Sequence, residues 1–207
     1  MIQIRSGTLA ERYEHGVRLR RKTSREKHAD LRRGTDRDAV AILRATDRTR
    51  VPELVPVRYE RMLASPFAFL RGAAAVMAED LQHQPKGGIP VQACGDCHLM
   101  NFGAFATPEE NILFDINDFD ETLAGVDFTA DLKRLVASVA VAALAASLSK
   151  GRARAIAATT VEAYRTHVRS LAKLSPLEIW HSRVELVREI KRIEHRALRK
   201  RIASHSR

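Results

Sequence analysis

Aromatic side chains are scarce in this chain, at 5% of 207 residues, whereas hydrophobic residues reach 45% and are mostly Ala and Leu. That balance disfavours a sandwich or barrel and favours helices packed on helices. Long apolar runs are also missing. The longest, Leu135 to Leu148, is broken by Ser138 and Ser147 and falls short of the roughly 18 to 20 residues a bilayer-spanning helix needs. No membrane association is therefore expected. The opening Met1-Ile-Gln-Ile-Arg-Ser6 lacks an apolar secretory stretch, so a cytoplasmic location is expected. The only two cysteines, Cys94 and Cys97, stand three apart, which excludes a disulfide framework in a reducing compartment. There is no internal repeat and no low-complexity tract.

The net charge of +10 is unevenly distributed. Residues 1–50 carry 14 basic against 7 acidic side chains, residues 51–150 carry 7 against 13, and residues 151–207 carry 14 against 5. The centre is thus acidic, as suits a site that gathers cations, and the basic excess lies in the flanks. No aromatics interleave with the basic residues as in a single-strand binder, so nucleic acid is not expected as a partner.

Hydrophobic spacing and punctuation divide the chain into a basic helical N-terminal arm, 1–50, and a core, 51–207. The arm holds a basic, helix-permissive stretch at 9–33 and a short helix at Asp36 to Ala45. Val51-Pro52 and Val55-Pro56 predict extended or turn geometry. Ser65-Pro66 predicts a helix start, and Ala73 to Leu81 continues as helix up to the turn Pro85-Lys-Gly-Gly-Ile-Pro90. Val91 to Cys94 and Ile112 to Ile116 read as short strands of a hairpin-like unit, 91–122. A long helix over Asp127 to Ser149 is expected to turn Leu132, Leu135, Val136, Val139 and Leu144 inward. Helices at 151–172 and 176–203 follow, the last with Trp180, Val184, Val187, Ile190 and Ile193 on one side.

Nearly all the chemistry lies in Cys94-Gly-Asp-Cys-His-Leu-Met-Asn-Phe-Gly103 and Phe114-Asp-Ile-Asn-Asp-Phe-Asp-Glu-Thr122. Taken literally, Cys94-x-x-Cys97-His98 is a c-type haem attachment site, but that requires export and a distal ligand, so no haem is expected. A zinc ion would find at most three ligands on one loop, with Cys97 and His98 adjacent, and no structural zinc is expected. A redox pair is disfavoured because Asp96 between the thiols opposes thiolate formation. Both cysteines are expected to be small packing residues. Asp96-x-His98 is shared with metallophosphoesterases, whose later Gly-Asp-x-x-Asp and Gly-Asn-His are missing.

A phosphoryl-transfer site uses a carboxylate facing the acceptor hydroxyl, an Asn five residues on for a metal, and a further metal-binding Asp after a hairpin. Asp96, Asn101 and Asp115 meet that order. In these segments the chain resembles the aminoglycoside phosphotransferase branch of kinase-like proteins. Gly95-Asp96-x-His98-x-x-Asn101 is similar to its catalytic loop, Phe114-Asp-Ile-Asn-Asp118 to its metal segment, and Asp131-Leu132 to a helix start. The chain more closely resembles the bacterial DUF2252 family, through Arg50 to Gly72, Gly95 to Gly103, Phe114 to Thr122 and Asp131 to Leu135. Neither cysteine belongs to that pattern. Members run to roughly twice this length, with a segment in their later half resembling the strand that carries a phosphate-binding Lys. No such segment, Gly-rich loop or Val-Ala-x-Lys strand occurs here, so truncation is expected.

The expected fold is α+β, mostly helical, with a kinase-like catalytic hairpin packed on a helical lobe and the nucleotide-binding half missing. The expected function is Mg-dependent phosphoryl transfer from ATP to a hydroxyl on a small molecule or protein. The resemblance implies Asp96 as base, His98 as loop orienter, Asn101 and Asp115 as metal ligands and Asp118 as an auxiliary ligand. Structural roles compete with each assignment: Asp96 and Asn101 as turn caps, His98 as a brace, and Asp115 and Asp118 as a solvated acidic loop. Two alternatives stand beside this reading: a non-catalytic remnant or binding module of the same fold, and a basic nucleic-acid-associated helical protein.

Overall fold

Local signals account for most helix starts. The computed structural model describes residues 7–32 and 34–192. Helix α1, Leu9–Lys22, begins at a capping box in which the Thr8 hydroxyl accepts from the Glu11 N–H and the Glu11 carboxylate accepts from the Thr8 N–H. A 3-10 turn, Glu26–Ala29, follows. Helix α2, Ala39–Asp47, starts where the Asp38 carboxylate takes the N–H groups of Val40 and Ala41. Pro52–Leu54 forms a second 3-10 turn and leads into α3, Val55–Leu63. The Val55-Pro56 pair therefore opens a helix rather than an extended segment, since proline in a first turn lacks only an N–H that would be unpaired anyway. As expected, Ser65 caps α4, Pro66–Gly72, through the Ala68 N–H, and α5 runs Ala74–Gln82.

The rest of the chain alternates short strands with longer helices. Strand β1 is Pro90–Ala93, a 3-10 turn occupies Leu99–Asn101, and β2, Phe102–Ala106, and β3, Ile112–Ile116, follow. Strand β4, Leu123–Asp127, precedes α6, Thr129–Ala145, and α7, Lys150–Leu171. Helices α8, Pro176–Trp180, and α9, Leu186–Arg192, complete the described chain. The class is α+β and mostly helical. Among the described residues no helix is long and apolar enough to cross a membrane.

The chain divides into two compact units. The first comprises residues up to Leu99 together with Phe119–Val161; the second comprises Met100–Asp118 and the residues from Glu162. In the first unit β1 pairs antiparallel with β4, and Leu43, Met62, Ala73 and Val76 form a buried cluster flanked by Ala39, Ile42 and Tyr59. Arg58 and Tyr59 converge on Asp47 beside this cluster, at 3.3 and 2.7 Å, so Arg58 pairs with a local acid. In the second unit β2 pairs antiparallel with β3.

Four expectations are corrected here. Val91–Cys94 and Ile112–Ile116 do not share a sheet: β1 takes β4 as its partner and β3 takes β2, so one hairpin is nested within another. The expected helix over 176–203 is interrupted, because the Phe114 N–H donates to the Val184 carbonyl and Leu113 bridges Glu185, drawing that segment to β3. Trp180, expected on the same side as Ile190, is 84% exposed, whereas Ile190 is buried. Ile193 and the remainder of that helix lie outside the described residues, as does the Val187 side chain. In α6, Leu144 is exposed and the fully buried positions are Arg134, Ser138 and Ala143.

Candidate functional site

The loop between β1 and the following 3-10 turn, residues 94–99, is held by three polar side chains of α6. Asp131, Arg134 and Ser138 stand at i, i+3 and i+7, a spacing that places them on one helix face. Asp131, in the first turn of α6, accepts the N–H groups of Cys94 and Gly95 at 2.7 and 3.1 Å. Ser138, completely buried, accepts from the Leu99 N–H at 2.9 Å and donates to the Leu135 carbonyl at 2.7 Å. Between them Arg134, 2% exposed, pairs through its guanidinium with Asp96 Oδ1. Arg134 also donates to the Leu70 carbonyl at 3.0 Å and reaches Met77 Sδ at 3.5 Å. One helix therefore fixes the backbone at both ends of the loop and its acidic side chain in the middle.

Gly95 allows the loop to turn. Its φ of +87° is one that side-chain-bearing residues avoid, and a Cβ there would run into the Glu121 carbonyl. The His98 N–H closes the turn onto the Asp96 carbonyl at 2.8 Å. His98 itself is buried, edge-on to Phe67 with ring centroids 6.4 Å apart, and its Nε2 lies 3.5 Å from Asp96 Oδ2. Burial holds the imidazole pKa below its ordinary value; Asp96 opposes the shift, while the Arg134 and Arg71 cations add to it. Cys94 and Cys97 are buried free thiols. Burial, then the neighbouring Asp131, Cys94 and Asp96, pushes the Cys97 thiol up to about 12. A thiol so held is a packing group, not a nucleophile.

The start of α6 is anchored separately. The Asp127 carboxylate accepts from the N–H groups of Gly87 and Gly88, at 3.1 and 2.7 Å, and from the Thr129 N–H and hydroxyl. Burial alone would raise the Asp127 pKa, but these hydrogen bonds together lower it.

The second unit contains the other candidates. The β2–β3 register pairs Gly103 with Asp115 and Phe102 with Ile116, so Asn101 meets the chain just beyond β3. There the Asn117 N–H donates to the Asn101 carbonyl at 3.0 Å, and Asn101 Nδ2 donates to the Asp118 carbonyl at 3.1 Å. Asn101 is buried; Asp115 and Asp118 are exposed. Asp115 Oδ1 accepts from the Ile116 N–H at 2.8 Å. The Asn117 amide lies over Gly103, occupying the space of a Cβ. The other face of the hairpin is apolar, with Phe102 and Phe114 stacked at 6.4 Å.

Asp96 and His98 thus share the first unit with Arg134, while Asn101, Asp115 and Asp118 share one end of the hairpin in the second. Among the described residues no three His, Cys, Asp or Glu side chains gather as a metal site. The amide oxygen of Asn101 and the carboxylates of Asp115 and Asp118 are nevertheless hard oxygen donors of the kind that suits Mg, which keeps several of its own waters. The residues missing from the sequence-based set are Arg134, Ser138 and Asp127, with Asp131 noted only as a helix start. The signal for Arg134 and Ser138 was available: with Asp131 they are polar residues at helical spacing in a helix rich in Ala, Val and Leu.

No curated protein and no solved structure matches the chain. A family model does match, over residues 50–207, which leaves the basic N-terminal segment outside the matched region. Since that match covers well over half of the sequence, the protein belongs to the DUF2252 family, described as an uncharacterized protein conserved in bacteria.

Proposed function

We propose that this protein is a cytoplasmic, kinase-like phosphotransferase that moves a phosphoryl group from ATP to a hydroxyl on a small molecule or protein, with Mg required. In that reaction the bond from the γ-phosphorus to the bridging oxygen breaks, a bond to the acceptor oxygen forms, and the hydroxyl proton is released. The observation that carries the reading is the hairpin register, which brings Asn101 to the same strand end as Asp115 and Asp118. These residues would hold the metal, which when bound spreads the charge developing on the transferred group. Asp96, by its place five residues before Asn101, is assigned to orient the acceptor hydroxyl. Orientation suits it better than full proton abstraction, because phosphoryl transfer passes through a loose transition state that demands positioning more than basicity.

A thermal-shift titration tests this. With MgATP at ten times its Kd the folded state gains about 1.4 kcal/mol and the melting temperature rises accordingly. Asp115→Ala removes that gain but leaves the unliganded melting temperature unchanged, as Asp115 is exposed. No shift at millimolar MgATP, or an equal shift in Asp115→Ala, refutes the proposal. The second reading, a non-catalytic binding module of the same fold, is favoured by the buried Arg134 pairing of Asp96, an arrangement that serves as a purely structural clamp. It is the reading left standing when nucleotide has no effect.

A further inference from the structure

The residues between Arg18 and Lys27 form the densest exposed positive charge in the described chain. Arg18, Arg20, Arg21, Lys22, Arg25 and Lys27 are all exposed. Arg18 lies 3.9 Å from Glu14; among the described residues the other five make no ion pair. The single acid in the stretch, Glu26, is engaged by its own backbone N–H and the Ser24 hydroxyl, and offsets part of the charge of the neighbouring Arg25 alone. Cations in the last turn of α1 also complement its dipole, but that accounts only for Arg20, Arg21 and Lys22. Arg25 and Lys27 lie beyond the helix.

A seventh cation comes from a distant part of the sequence. Leu19 packs against Gly88, where a Cβ would lie 2.9 Å from Leu19 Cδ2, and His28 hydrogen-bonds the Pro85 carbonyl. These two contacts bracket the turn that carries exposed Lys86 and set it beside the basic segment. The carboxylate that contacts that turn, Asp127 at the end of β4, is already committed to Gly87, Gly88 and Thr129. The lack of interleaved aromatics, which argued against a single-strand partner, leaves a duplex partner open.

We propose that this patch, none of whose residues belongs to the proposed phosphotransferase set, binds the phosphate backbone of duplex nucleic acid without reading its sequence. Two features select that partner. Between Arg18 and Lys27 the only large apolar side chain is Leu19, which is turned onto Gly88, so nothing there inserts into a lipid surface. No aromatic side chain lies between Arg18 and Lys27 to stack on unpaired bases. Clustered cations facing solvent match phosphates spaced along a duplex, and binding releases condensed counterions.

Fluorescence anisotropy of the full chain with a short DNA duplex, an RNA duplex of equal length and vesicles of anionic lipid tests the proposal. Binding to either duplex is expected to weaken steeply with salt. The triple variant Arg20→Gln, Arg21→Gln, Lys22→Gln, with its helical circular dichroism unchanged, is expected to reduce the slope of log K against log salt by about 2.7, near 0.9 for each phosphate no longer neutralised. Absence of duplex binding at low salt, an unchanged slope in the triple variant, or tighter binding to the vesicles than to either duplex overturns it.

Discussion

Replacing Arg134 by Met tests whether α6 holds the candidate loop through a buried ion pair. Methionine keeps most of the apolar stem volume and removes the guanidinium. The Asp96 carboxylate, only 14% exposed, then loses its main charge partner, and the Leu70 carbonyl loses its 3.0 Å donor. Breaking one side of a buried pair costs about 3 to 5 kcal/mol, because the remaining charge stays desolvated. The partial exposure of Asp96 places Arg134→Met near the lower figure, about 3 kcal/mol. Asp96→Ala is expected to cost a similar amount by stranding the buried guanidinium. The double variant leaves neither charge exposed to that penalty, so it should be no less stable than either single variant, which makes the coupling energy at least about 3 kcal/mol. Urea unfolding monitored by circular dichroism measures all three differences, provided the slopes agree. Arg134→Lys, which retains a charge but not the fork of donors, should fall between the native chain and Arg134→Met. Additive single effects, or a cost below about 1 kcal/mol for Arg134→Met, would show that the pair does not organise the loop.

Two further outcomes follow from the buried groups around that pair. The folded-state pKa of His98 is depressed below its ordinary 6.5, so the unfolded chain takes up protons first on acidification; stability is full above that value and falls as pH drops below it. His28 shifts in the same direction, so His98→Gln should make the loss of stability between pH 7 and 5 shallower without abolishing it, and an unchanged pH profile would contradict the assignment. With Cys97 pushed up to about 12 and both thiols buried, native protein at pH 8 should resist iodoacetamide and react at both cysteines only in denaturant. Mass spectrometry reads the adducts, and rapid labelling of Cys97 in the native state would refute the packing role.

Much of the molecule is legible along the chain because its causes are local. The Thr8–Glu11 box, Asp38 and Ser65–Pro66 begin helices through bonds spanning two or three residues. The spacing of Asp96, Asn101 and Asp115, and the match that places the chain in its family, are likewise properties of order alone. Other features depend on partners distant in sequence. Strand pairing is one: β1 finds β4 across some thirty residues, and the draw of Val184 and Glu185 to β3 breaks a helix that periodicity would have continued.

The same division runs through the candidate site. The sequence alone determined the set of candidate site residues, a packing role for the two cysteines and the concentration of charge in segments. Only the tertiary structure decided that α6 turns Arg134 and Ser138, rather than its leucines, into the deepest positions. The physical reason is that the 94–99 loop brings a carboxylate and backbone N–H groups out of water and must find partners for them. An Ala- and Leu-rich helix can meet that demand only by presenting polar side chains at i, i+3 and i+7, and that demand is not visible until loop and helix meet.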